Sequence, residues 1–227
     1  MELAKLEKAI SYDFKDRDLL KEALTHRSYL NENTGWKIPN NERLEFLGDA
    51  VLELAVTEEL YKRFPESQEG KMTGLRAALV NYQMLSEVAK SFGLEKFILL
   101  SRGEAKDTGR ARDVILATAI EALIGAIYLD GGMKPITKFV NTFVLSHLDD
   151  VLKQGLYKDA KSGLQEKIQE ERKITPTYKV ISETGPDHAK VFEVGVYVGN
   201  ELLAKGHGAS KQEAETDAAK NALRHEE

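Results

Sequence analysis

The chain has 227 residues, 42% hydrophobic and 30% charged, with no cysteine and a net charge of −5 at neutral pH. That is the balance of a soluble globular protein of one large or two modest domains, and it excludes both a disulfide framework and a thiolate metal site. The acidic excess speaks against a general polyanion binder. Residues 156–227 carry 11 Lys and Arg against 13 Asp and Glu, so any nucleic-acid contact must rest on local clusters and backbone donors.

The opening MELAKLEKAI sets Glu and Lys inside its apolar pattern and lacks the apolar core of a signal peptide, which points to a cytoplasmic protein. Helical spacing is predicted over Leu3–Ile10 and Asp18–Ala23, with Asp16 or Asp18 as the cap of the second. The polar run THRSYLNENTGWKIPNN reads as a loop or a broken helix. Its His26 reads as a hydrogen-bonding partner rather than a ligand, and Trp36 has no evident role.

The stretch from Asn41 to Leu54, NERLEFLGDAVLEL, then places Glu42, Glu45 and Asp49 on one helical stripe and Leu44, Leu47, Val51 and Leu54 on the opposite one. The acids form either a solvated face or a row relieved by a cation. Gly48 costs about 1 kcal/mol against Ala in mid-helix, so a close neighbour is expected there.

Pro65 and Gly70 mark a connection, and the pattern predicts one helix over Met72–Phe92, closed by Gly93. Glu69 at its head is a ligand or an acid favoured by a helix start. In SRGEAKDTGRARD, Arg102, Lys106, Arg110 and Arg112 touch phosphates or are solvated. Val114–Leu129, VILATAIEALIGAIYL, reads as a buried helix whose one charge is Glu121; a carboxylate in that setting is paired, protonated or metal-bound. Its length falls short of the roughly 20 residues of a membrane span. Asp130, Gly131 and Gly132 end it, and one more helix is predicted from Pro135 to Leu152.

The pattern changes at Gln154 and Gly155. Beyond it come a helix over Lys158–Arg172, strands over Pro176–Ser182, Val191–Val198 and Leu202–Ala204, and a helix over Lys211–Leu223 capped by Ser210. The expected architecture is an all-α domain over 1–153, a linker at 154–157, and an α+β domain of order αβββα over 158–227.

With these residues in view the chain resembles bacterial ribonuclease III over nearly its whole length. The resemblance is carried by NERLEFLGDAVLEL, by ALTHRSYLNE at Ala23–Glu32, and by EALIGAIYLDGG at Glu121–Gly132. A double-stranded RNA-binding domain is suggested by LQEKIQ at Leu164–Gln169, GPDH at Gly185–His188 and GASKQEAETDAA at Gly208–Ala219.

The resemblance implies a homodimeric endonuclease that cuts double-stranded RNA to 5′-phosphate and 3′-hydroxyl ends, in processing of ribosomal RNA precursors and of structured messenger and transfer RNAs. It implies Mg²⁺, with Mn²⁺ as a substitute, held by Glu45 and Glu121, and Asp49 assisting catalysis beside Glu121. Glu42 and Glu69 are implied as outer carboxylates, and Phe46, read on the apolar side of the NERLEFLGDAVLEL helix, as the residue that enters a pocket of the partner subunit. For RNA contacts it implies Gln165, Pro186, His188, Ser210 and Lys211, reading A-form shape more than sequence.

One position departs from the family pattern: Thr118 stands where a metal-ligating Asp is expected, and a hydroxyl is a weaker Mg²⁺ ligand. Neither Asp113 nor Asp107 is an obvious stand-in. The departure implies weak metal binding and slow cleavage, or a dimer that holds duplex RNA without cutting it. A third reading makes the amino-terminal helices a dimerisation scaffold only. The last helix carries Lys211 but also Ala209, Gln212, Glu215 and Asp217, so the salt dependence of RNA binding should be shallow.

Overall fold

A computed structural model describes residues 3–225 apart from 156, 158, 159 and 187–189. The chain divides into two compact units, Met1–Tyr157 and Lys158–Glu227.

The first unit is helical. Helices α1 (Leu3–Ile10), α2 (Arg17–Ala23) and α3 (Arg27–Glu32) lead to the long α4 (Glu42–Arg63). There follow α5 (Glu69–Val80), α6 (Tyr82–Ser91), α7 (Gly109–Gly131), α8 (Met133–Phe139) and α9 (Leu148–Gln154). The cap of α2 is Asp16, whose Oδ1 accepts the Asp18 N–H at 2.9 Å. The polar run after α2 folds as α3 and irregular turns.

Helix α7 is the centre of the unit. Leu116, Ile120, Leu123 and Ile127 are wholly or almost wholly buried, each contributing about 1.5–3 kcal/mol, and the helix packs against α2, α4, α6 and α8. At 23 residues it is long and apolar enough to cross a membrane, so the length argument against a span fails. Its apolarity is accounted for by neighbouring helices that cover it.

Helices α4 and α7 cross through glycines. A Cβ on Gly48 would fall 1.7 Å from the Glu121 carbonyl oxygen, and one on Gly125 would fall 2.3 Å from that of Leu44. Only bare backbone permits this approach, which is why Gly48 is accepted in mid-helix.

Two predicted helices are broken. The Met72–Phe92 pattern divides at Asn81, whose Oδ1 accepts the Met84 N–H at 3.0 Å and whose Nδ2 donates to the carbonyls of Ala77 and Ala78. One side chain thus closes α5 and opens α6. The Pro135–Leu152 pattern is interrupted by a π turn over Val140–Val144 and a 3-10 turn over Leu145–His147. Gln154 lies in α9 and a Cβ on Gly74 would fall 2.2 Å from the Tyr157 carbonyl, so the first unit extends past the expected boundary at 153.

The second unit has α10 (Ala160–Arg172), β1 (Thr177–Thr184), β2 (Val191–Val198), β3 (Glu201–Gly208) and α11 (Lys211–His225). The strands form an antiparallel sheet in the order β1-β2-β3. Leu164 and Ile168 of α10 meet Val196 and Val198 of β2 and the alanines of α11 in a small core. Strand β3 is longer than the predicted Leu202–Ala204 because Lys205, Gly206 and His207 also pair with β2, although they break the alternation. Ser210 caps α11, its Oγ accepting the Glu213 N–H at 3.2 Å while Glu213 reaches back to the Ala209 N–H at 2.9 Å.

Candidate active site

Where α4 and α7 cross, their side chains border an open cleft of about 520 Å³ lined by Glu42, Glu45, Phe46 and Asp49 of α4 and by Val114, Ile115, Thr118 and Glu121 of α7. His26, Arg27 and Asn41 complete it. Asn41 is buried, its N–H bonded to the Thr25 carbonyl at 2.9 Å, and so ties the start of α4 to the His26 segment.

Glu121 is half-buried and faces acids. Burial first, then the charges of Asp49 and Glu45, push its carboxyl up to about 8. Among the described residues no Lys or Arg pairs with it. Glu45 is pushed up by burial and by Glu42 and Asp49, against a smaller opposing effect of Arg27. Glu42 sits at the mouth of the cleft, 3.6 Å from an Arg27 guanidinium nitrogen and accepting from Asn40 Nδ2 at 3.1 Å.

Thr118 lies on the cleft wall one turn before Glu121, and its Oγ1 donates to the Ile115 carbonyl at 3.2 Å. The other acids near this position in sequence do not replace a carboxylate there. Asp113 is held by Lys90 and by Ser86 Oγ, both at 2.6 Å, and Asp107 is not among the lining residues. Among the described residues no three His, Asp or Glu side chains converge tightly enough to enclose an ion unaided. The donor set still fits a hard divalent cation. Hydroxyl and carboxylate oxygens are its preferred ligands, and Mg²⁺ is commonly held by one or two carboxylates with water and substrate oxygens filling the rest.

Within the single chain Glu69 does not line this cleft: it opens α5, accepts from Thr73 Oγ1 at 3.2 Å, and borders a separate hollow with Tyr61, Met72 and Arg76. The expected placing of Phe46 needs correction. Phe46 does not lie on the apolar side of α4. It is 84% exposed, and Leu54 and Tyr61 are exposed with it, while the face turned to the core is Leu44, Gly48, Val51, Leu52, Ala55, Val56 and Leu60.

In the second unit Gln165, Pro186, Ser210 and Lys211 are all exposed, and His188 lies outside the described residues. The Lys211 ammonium stands 5.9 Å from the Phe192 ring centroid. The basic residues of the 101–113 loop are partly engaged: Arg110 stacks over Tyr82 and Arg112 donates to the Glu95 carbonyl.

Comparison with known proteins agrees with this geometry. The family model described as Ribonuclease-III-like matches residues 16–148, and that of the double-stranded RNA binding motif matches 160–226. Ribonuclease 3 of Borreliella burgdorferi is 47% identical over 223 residues, covering 98% of this chain and 91% of that protein. The chain belongs to the ribonuclease III family. Ribonuclease 3 of Nitratiruptor is 43% identical over 98% of this chain and 96% of its own length. Among solved structures, a nuclease domain of ribonuclease III from Campylobacter jejuni, described for flexibility in its dimer-forming region, aligns with a TM-score of 0.58 at 43% identity. It covers 64% of this chain and 97% of that one.

Sequence reasoning passed over His26 and Arg27 as parts of the site. The signal for them lay in the ALTHRSYLNE match, whose first turn supplies one wall of the cleft.

Proposed function

We propose that this ribonuclease III, a double-strand-specific endoribonuclease, cuts RNA in the carboxylate cleft with Mg²⁺, or Mn²⁺ in its place, leaving 5′-phosphate and 3′-hydroxyl ends. The observation that carries the reading is Glu121: a half-buried carboxylate without a cationic partner, facing Glu45 and Asp49 across a glycine-lined helix crossing. Such a group is costly until a cation relieves it.

Glu45 and Glu121 would hold the ion, and Asp49, exposed at the rim, is placed to orient a water. When bound, the cation supplies Lewis acidity, lowering the pKa of the attacking water and offsetting charge on the phosphorane and the leaving 3′-oxygen. Arg27 holds Glu42 at the mouth and leaves Glu45 to the ion. The second unit would grip the duplex by its A-form shape through Gln165, Pro186, His188, Ser210 and Lys211.

The protein acts as a homodimer in the cytoplasm, without a membrane partner, in processing of ribosomal RNA precursors and other structured RNAs. The exposed Phe46, Leu54 and Tyr61 on α4 support self-association, since apolar side chains grouped on one surface mark an interface.

Thr118 favours a second reading, in which the dimer binds duplex RNA and cuts weakly or not at all. Long duplex RNA incubated with and without Mg²⁺, beside a gel shift, separates the two. Cation-dependent cutting to 5′-phosphate ends supports the first; retention without cutting across all cation concentrations overturns it.

A further inference from the structure

We propose that His26 is the neutral hydrogen-bond donor of the cleft, presenting its Nε2–H to a phosphate oxygen of the bound duplex. This rests on the cleft being where the RNA backbone lies.

The contacts at Nδ1 place the ring's proton. The Ser28 N–H points at Nδ1 at 3.3 Å, and only an Nδ1 without a hydrogen can accept it. Ser28 Oγ, which accepts the Ser101 N–H at 3.1 Å, lies 2.8 Å from the same nitrogen and can turn its hydroxyl hydrogen towards it. With Nδ1 the acceptor, the hydrogen of the neutral ring sits on Nε2. Among the described residues Nε2 makes no hydrogen bond, although the ring borders the cleft with Glu45 and Glu121. The backbone beneath it is pinned. The His26 N–H donates to the Leu99 carbonyl at 3.1 Å, and the Leu99 N–H to that of Leu24 at 2.8 Å.

A neutral donor suits this wall better than a cation. Arg27 next to it is drawn to Glu42, and a second positive group would be captured by a carboxylate in the same way. Burial, more than the surrounding charges of Glu104, Arg27 and Glu42, holds the His26 ring below its ordinary pKa. The ring therefore stays uncharged, and its N–H is not competed for by an ion pair. A phosphate oxygen entering among acids is repelled by each of them, and a fixed N–H offsets part of that cost without rearrangement.

The bland alternative is that His26 only caps α3, its Nδ1 accepting the Ser28 N–H. The two roles use different nitrogens, so substitution separates them. In the full chain, His26→Asn keeps an oxygen acceptor for the cap but has no donor where Nε2 lies, whereas His26→Gln can place an amide N–H near it. The expected result is that His26→Asn melts with the wild type but cuts duplex RNA with a kcat/KM about 10- to 100-fold lower. Most of that loss should appear as a raised KM, and His26→Gln should regain most of it. Wild-type kcat/KM in His26→Asn overturns the proposal.

A second measurement does not depend on cleavage or on a variant's folding. Long-range ¹H–¹⁵N NMR of the wild-type histidine rings should show the Nε2–H tautomer for His26, with its Nε2 resonance shifting when a short RNA duplex is added. A proton on Nδ1, or a resonance unmoved by duplex that binds, overturns it. A wild type that binds and never cuts refutes the proposed function while leaving this spectrum to decide the role of His26.

Discussion

Replacing Glu121 by Gln should make the cation-free protein more stable, and more so as the pH rises. The Glu121 carboxyl titrates at about 8 in the folded chain against an ordinary 4.5. Below the lower value both states hold the proton and the folded state carries no penalty. Between the two values the unfolded chain releases a proton that the folded chain keeps, so stability falls as pH rises towards 8. At about 1.4 kcal/mol per pKa unit the ceiling is about 5 kcal/mol. Water entering the open cleft screens the interaction and reduces the loss to about 2–3 kcal/mol. Gln is isosteric and never ionises. Urea unfolding at pH 5.5 and 8.5 in the presence of a chelator gives the comparison; part of the loss is already present at pH 5.5, so the variant's advantage over wild type should grow by about 1–2 kcal/mol across that range. Adding Mg²⁺ at pH 8.5 should raise the wild type and leave the variant unmoved. A difference between the two proteins that does not change with pH would refute the claim that Glu121 is an uncompensated acid.

Other perturbations probe the neighbouring residues. Thr118→Asp should lower the Mg²⁺ concentration for half-maximal cleavage by about tenfold, and an unchanged rate at limiting Mg²⁺ would remove Thr118 as the weak point. Gly48→Ala should cost about 3 kcal/mol, at the upper end of overpacking penalties, because its Cβ would meet the Glu121 carbonyl at 1.7 Å; thermal unfolding measures it. Phe46→Glu should convert a dimer to a monomer in sedimentation while leaving monomer stability within about 0.5 kcal/mol, since the side chain is 84% exposed. RNA binding should weaken with salt at a slope shallower than about −4 in log affinity against log salt, as only a few phosphates are neutralised.

The sequence was most legible where a cost had to be explained. Gly48 in mid-helix and Glu121 in an apolar run each broke a local rule, and they meet: the glycine gives the backbone of α7 room to approach, and the acid projects into the cleft beside that contact. Periodicity located α4 but misjudged its faces. Leu54 and Phe46 are apolar and exposed, because an apolar side chain outside the core looks like a core one in a single sequence. The break at Asn81 carried no proline or glycine, only an amide that serves two helix ends at once. The π turn at Val140–Val144 was hidden for another reason: Val140 and Val144 stay buried across it, so the apolar pattern continues while the hydrogen bonding shifts. Glu69 lines a separate hollow of the single chain, a placement that residue type alone does not reveal.

The loss of a carboxylate at position 118 and the retention of the others are compatible if field and frame are separate properties of the site. The frame is the Gly48–Gly125 crossing, which brings Glu45 and Asp49 to Glu121 by backbone contact and owes nothing to the side chain at 118. The field is the summed negative charge, and Thr118 lowers it without moving its neighbours, its hydroxyl being bonded within its own helix. A site weakened in field alone should be filled by raising the cation concentration, because each remaining ligand is already in place. A site weakened in frame should not recover, because misaimed ligands stay misaimed at any concentration. Cleavage by the chain with Thr118 should therefore climb steeply with Mg²⁺ to a plateau near that of Thr118→Asp, while Gly48→Ala should reach a lower plateau that more Mg²⁺ does not lift. If the chain with Thr118 levelled off far below Thr118→Asp, the acid at 118 would be needed for alignment as well as charge, and the separation of field from frame would be wrong.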